Sequence, residues 1–176
     1  MTDLGEPADE RFDLVDEQGA IIGSALRGEV HGDPSLLHPV VHCVVFDASS
    51  ALLLQLRAGT KRVQPGRWDL SVGGHVAQGE QVEAALAREM AEEIGVDATA
   101  AQPRFLYRYL WRTDFESELI YTYACRWDGP VRRQESEIDE LRFWTLEEIA
   151  QQRGQGVFTP NLLEELSRLR AGDHLP

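Results

Sequence analysis

The residues from Gly74 to Val96, GHVAQGEQVEAALAREMAEEIGV, constrain this chain more than any other stretch. A glycine-bearing loop leads into Gln81–Ile94, which holds neither Pro nor Gly and is rich in Ala, Glu and Leu, so a helix is expected. Gly95 follows at once and suits the left-handed residue that ends many helices. At about 100° per residue, Glu89, Glu92 and Glu93 share an arc of about 100°. Leu86, Met90 and Ile94 form an apolar stripe on the neighbouring face. The helix must therefore dock one side on a core while holding three carboxylates together on another.

Like charges at these spacings repel by a few tenths of a kcal/mol per pair. A solvated acidic face tolerates that. Three convergent carboxylates are also the hard oxygen ligands that Mg²⁺ or Mn²⁺ takes, and a divalent ion would relieve the repulsion. Periodicity alone leaves both readings open.

The spacing resembles the signature of the Nudix hydrolases: Gly, five residues, Glu, seven residues, Arg-Glu, an aliphatic, any residue, Glu-Glu, any residue, Gly, an aliphatic. Gly74, Glu80, Arg88, Glu89, Glu92, Glu93 and Gly95 fill the fixed places, with Met90 and Val96 at the aliphatic ones. The resemblance implies an α/β fold, a Nudix-type α/β/α sandwich with a mixed central sheet. It also implies cleavage of a diphosphate linkage by water adding at phosphorus, with Mg²⁺ or Mn²⁺ as cofactor. Glu89 and Glu93 would be the first metal ligands. Glu92 would share the ions, help activate the water or stand behind the ligands. Arg88 would orient the carboxylates, and the backbone at Gly73 would supply a carbonyl ligand, although Gly73-Gly74 also reads as a plain tight turn. Glu80 reads as structural, at the positive end of the helix.

The rest of the chain bounds these expectations. Its 176 residues suggest a single domain over 11–176, and 43% hydrophobic with 27% charged residues is ordinary for a globular protein. Met1–Glu10 is polar and acidic, lacks the basic and apolar regions of a signal peptide, and reads as a disordered leader. No apolar run is long enough for a membrane span. Cys43 and Cys125 show no paired spacing, and Cys43 sits in an apolar strand pattern as a small hydrophobe, which fits a reducing cytoplasm. A net charge of −13 argues against nucleic acid as a partner. The same charge opposes a small phosphorylated substrate, so bound cations and local Arg and Lys residues are needed.

In chain order, Phe12–Val15 and Ala20–Arg27 read as an N-terminal β-hairpin turning at Asp16–Gly19, able to pair within the chain or across a homodimer. The segment 28–39 reads as a loop. Val40–Phe46 is a central strand, and Ala51–Arg57 its hairpin partner. Trp68–Val72 reads as one short strand before the glycine loop. Arg104–Trp111, Leu119–Trp127 and Leu141–Trp144 are later strands. Thr145 with Glu148 forms a capping box, and Thr159-Pro160 starts a last helix pinned by Leu162, Leu163, Leu166 and Leu169.

Arg57 and Lys61, four apart, are candidates to clamp a diphosphate, or are solvated surface cations. Together with Pro65-Gly66, Trp68 and Gly74-His75 they resemble the Nudix branch that contains type 1 isopentenyl diphosphate isomerase. That resemblance implies a second metal site at His31, His38, His75, Glu116 and Glu118, a set able to hold Mn²⁺, Zn²⁺ or Mg²⁺. The isomerase needs a cysteine before the Gly-His pair; here Gly73 stands there and cannot move a proton. The intact box favours a hydrolase of a nucleoside diphosphate derivative or related phosphorylated metabolite. An isomerase and a non-catalytic nucleotide-sensing module are the alternatives. Some Nudix enzymes take a general base from a late loop, which makes Glu137 a candidate, with Glu118 as another.

Overall fold

A computed structural model describes residues 9–176, so the expected leader lies, apart from its last two residues, outside the described residues. The hairpin forms as expected: β1 (Arg11–Val15) and β2 (Ile21–Leu26) make a separate two-stranded antiparallel sheet. A short helix, α1 (Arg27–Val30), occupies the start of the expected loop.

The main sheet is organised on β3 (Leu37–Phe46), whose residues are all buried. It begins two residues before Pro39, whose carbonyl accepts the Val76 N–H at 3.1 Å. Along its length β3 runs parallel to β8 (Ser117–Arg126), from Leu37↔Ser117 to Phe46↔Arg126. β7 (Arg104–Arg112) covers the far side of β8 antiparallel. The sheet is therefore mixed.

On the other side of β3 one expectation holds only at its start and another fails. β4 (Leu52–Arg57) is not its hairpin partner along the strand: the two meet only at Phe46↔Leu52. β4 pairs instead with β9 (Ile138–Trp144), and at its end with β5 (Trp68–Asp69). The expected single strand 68–72 is broken after Asp69, and β6 (Val72–His75) pairs with β3 instead. Ser71 supplies the physical reason. Its buried hydroxyl donates to the Leu53 carbonyl at 2.6 Å and accepts the Val45 N–H at 2.9 Å, standing where a ladder bond between β3 and β4 would be. The sheet splits at that wedge, and the split opens beside the glycine loop.

Side-chain alternation on β3 then builds two cores. Val41, Cys43 and Val45 face α2 (Val82–Ile94), which buries Ala85, Leu86, Met90 and Ile94 against them. Val44 and Phe46 face the other layer, α4 (Leu146–Gln152) and α5 (Pro160–Ala171), through Ile149, Leu162 and Leu169. This is the expected α/β/α sandwich. Gly95 ends α2 at φ 68°, and Thr145 and Thr159 cap α4 and α5 as expected. A four-residue helix, α3 (Ala98–Ala101), capped by Asp97, was not anticipated.

Candidate active site and metal centre

α2 brings its carboxylates to a cavity of about 380 Å³ at the sheet split. Glu93 points inward: the residue is 7% exposed, and its Oε2 accepts the Gly73 N–H at 3.0 Å and Gln55 Nε2 at 3.2 Å. Burial, reinforced by the charge of Glu89, raises its carboxyl well above the ordinary value, and the two donated bonds only partly offset that. Glu89 is likewise raised, to about 7, by burial against the opposing pull of Arg88. Glu92 lies at the rim with its side chain half exposed.

Arg88 is pinned rather than free. Its Nε and Nη2 bind the two Glu80 oxygens at 3.0 Å each, and Nη2 also donates to the His75 carbonyl at 3.0 Å. That leaves Nη1 to hold Glu89 Oε1 at 2.6 Å, with Glu92 at 3.5 Å. Glu80 also accepts the Ala77 N–H at 3.0 Å, so its place is structural: it anchors the arginine that orients Glu89.

Gly74 is required by this geometry. A Cβ there would overlap the Glu89 carboxyl group. Gly74→Ala should therefore displace Glu89 and lower turnover by about 100-fold, the scale of a misplaced reacting group. Melting temperature should move by only a few degrees, because Glu89 can swing away. Steady-state kinetics with thermal unfolding checks this.

The five residues of the expected second site also come together. Nε2 of His31 lies 3.1 Å from Nε2 of His75 and 3.4 Å from Glu116 Oε2. Ligand atoms of His31, His38 and His75 all lie within 4.8 Å of one another, as do those of His38, Glu116 and Glu118. His38 Nε2 and Glu118 Oε2 are buried without a hydrogen-bond partner. Burial lowers His38 to about 4, holds His75 well below its usual value, and raises Glu118 to about 8. Neutral imidazoles beside carboxyls that cannot easily ionise alone form a donor set suited to a divalent cation. Phe12, from the N-terminal hairpin, stacks on His75 (centroids 4.6 Å apart) and on His38 (5.6 Å).

Arg57 and Lys61 line the same cavity as the box. Arg57 donates to the Val63 carbonyl at 3.1 Å and to Asp69 at 3.2 Å. Lys61 pairs with Glu137 at 3.0 Å, so the candidate clamp and candidate base are partners. Gln55, Phe12 and Arg27, which also lines the cavity, were not anticipated. Gln55 alone left a signal, as the one polar residue among the leucines of β4.

Comparisons with known proteins agree with this architecture. The NUDIX domain family model matches residues 36–165. An uncharacterized Nudix hydrolase of Streptomyces coelicolor is 32% identical, with 97% of this chain and 94% of that protein covered. An isopentenyl-diphosphate Delta-isomerase of Leifsonia xyli is 38% identical over 76% of each chain. The crystal structure of a Deinococcus radiodurans protein, 27% identical, superposes with a TM-score of 0.77 over 90% of this chain and 98% of that one.

Proposed function

The chain belongs to the Nudix family and is a hydrolase acting on pyrophosphate bonds, and from that premise we propose that it cleaves the diphosphate linkage of a nucleoside diphosphate derivative or related phosphorylated metabolite with Mg²⁺ or Mn²⁺. One observation carries the metal requirement. Glu93 is buried and Glu89, one helical turn before it, is largely so, and each is pushed toward its protonated form. Such a pair is costly in the metal-free protein and fits a divalent cation.

Glu89 and Glu93 would hold the ion, with Glu92 and the Gly73 carbonyl beside them. When bound there, a divalent ion neutralises charge on phosphate oxygens and acidifies a coordinated water. The chain's own groups do the rest. Arg88 keeps Glu89 turned into the cavity, and the Gly73 N–H with Gln55 does the same for Glu93. Arg57 and Lys61 face the cavity as cations for the diphosphate, in a protein whose net charge of −13 otherwise repels it. Glu92 and Glu137 line the same cavity and are the candidates to take the proton of the attacking water.

The test is a screen of nucleoside di- and triphosphates, nucleotide sugars, dinucleotides and isoprenoid diphosphates with Mg²⁺, Mn²⁺ or a chelator. Phosphate or a monophosphate should be released from at least one, only with metal. Tight nucleotide binding without turnover across the metals would favour a sensing role instead. Double-bond migration in isopentenyl diphosphate would show that the argument from Gly73 is wrong.

The second site is part of the same proposal, supported by the unpartnered His38 Nε2 and Glu118 Oε2. Wild-type protein should bind two kinds of divalent site by calorimetry and metal analysis. His38→Gln should lose one and keep the box site. Wild-type stoichiometry in that variant would remove the second site from the account.

A further inference from the structure

The box and the histidine cluster leave one wall of the cavity without a role. It is formed by Val40, His42, Asp69, Leu70, Thr159 and Asn161, where β3 and β5 face the start of α5. Asp69 and Thr159 are committed to each other at 2.7 Å. His42 is built differently. Its Nδ1 lies 2.7 Å from Oε2 of Glu165, a fully buried carboxylate that replaces a leucine in the inward face of α5, between Leu162 and Leu169.

A buried carboxylate is tolerated only when its acceptor sites are filled. Tyr107 donates to Glu165 at 2.6 Å, Tyr109 at 3.0 Å, and Thr122 Oγ1 lies 3.1 and 3.2 Å from the two oxygens. Burial alone would raise this carboxyl, but His42 and the tyrosines outweigh it and hold it below its usual value. An ionised Glu165 can only accept, so Nδ1 of His42 carries a hydrogen. The ring is thereby fixed in tautomer and orientation. Its Cδ2–Nε2 edge turns toward Gly73, where a Cβ would stand 3.6 Å from Cδ2 and 3.8 Å from Nε2. Nε2 itself has no hydrogen-bond partner among the described residues, and His42 lines the cavity. Gly73 also donates its N–H to Glu93, so the imidazole stands across one strand from the box.

We propose that His42, clamped by Glu165, contacts the substrate: Nε2 hydrogen-bonds a hydroxyl of the organic group carried by the diphosphate and selects hydroxylated groups over hydrocarbon ones. A hydroxyl can donate to the neutral ring and accept from the charged one, so it suits Nε2 in either state. A hydrocarbon group seated there would strip Nε2 of water and give it no partner, a loss of about ten- to a hundredfold in affinity. The inference rests on the hydrolase reading of this cavity for the diphosphate alone. Its test requires no turnover, so the two can fail separately.

Protein labelled with ¹⁵N in its histidines is titrated, with Mg²⁺ present, with ribose 5-phosphate and with isopentyl phosphate. Ribose 5-phosphate should shift the His42 Nε2 resonance saturably, and isopentyl phosphate should not. His42→Asn, which keeps a donor for Glu165 and removes the ε nitrogen, should weaken ribose 5-phosphate about tenfold. It should not weaken isopentyl phosphate, and should tighten it wherever the hydrocarbon reaches the ring, because the nitrogen left unpartnered is gone. Glu165→Gln, which loosens the ring without removing it, should show the same split to a smaller extent. Equal response to both probes, no binding of ribose 5-phosphate, or an unmoved Nε2 in its presence would overturn the proposal. A shift at Nε2 with no hydrolysis of any diphosphate would instead leave His42 in place and remove the hydrolase reading.

Discussion

Replacing Glu93 with Gln should lower kcat by at least about a thousandfold and leave the metal-free protein as stable as wild type or more so. The two halves of that result have one cause. Glu93 is buried beside Glu89 and raised well above its ordinary value, so its charge is a burden to the metal-free fold. A glutamine keeps an oxygen for the Gly73 N–H and for Gln55, which lie 3.0 and 3.2 Å from the carboxylate, and removes the repulsion. It cannot supply a charged oxygen ligand. A structural carboxylate would behave in the opposite way, costing stability on replacement and little activity. Thermal unfolding with chelator present, beside steady-state kinetics, separates the two.

The second large effect is on stability against pH. A carboxyl whose folded pKa lies above its unfolded value favours the folded state while protonated. Its contribution is complete below the unfolded value and is lost as pH rises through the folded one. For Glu89 the window runs from its ordinary 4.5 to about 7. The loss is on the order of 3 kcal/mol for that group alone, and Glu93 adds to it in the same direction. His38 and His75, depressed by burial, slope the other way as pH falls. The informative quantity is therefore the difference between wild type and a Glu89→Gln/Glu93→Gln variant. With chelator present, wild type should lose stability relative to the variant between about pH 4.5 and 7. Saturating Mg²⁺ should abolish that difference in slope. Denaturant unfolding across the window measures both.

How much of this was legible in the sequence depended on the range of the interactions involved. α2 and its carboxylates could be read because helical periodicity, the closing Gly95 and the fixed spacing are all local. The capped starts of α4 and α5 were legible for the same reason. The break at Leu70–Ser71 was not. Trp68–Val72 alternates apolar and polar residues and reads as one strand, and nothing local reveals that Ser71 will bridge Val45 and Leu53 from a distance of many residues. The parallel pairing of β3 with β8 joins residues far apart in the sequence, from Leu37 with Ser117 to Phe46 with Arg126, and was equally hidden.

In the site, the histidine cluster could be assembled only through resemblance, since His31, His38 and His75 share no regular spacing. Phe12, which stacks on two of them, left no trace in composition or pattern. Glu165 did leave one: a carboxylate stands between Leu162 and Leu169 on the inward face of α5. The leucines were read as pinning the helix, which is correct, but the glutamate among them fixes His42 in the cavity wall.

The central claim is that water attacks phosphorus in a metal-dependent cleavage at the box. With a substrate taken from the screen, reaction in ¹⁸O-labelled water with Mg²⁺ or Mn²⁺ tests it most directly, read by ³¹P NMR of the products. The account predicts one labelled oxygen on a phosphate product, formed by wild type and not by Glu93→Gln. Label at carbon, unlabelled phosphates, or label incorporated equally by the Glu93→Gln variant would contradict it.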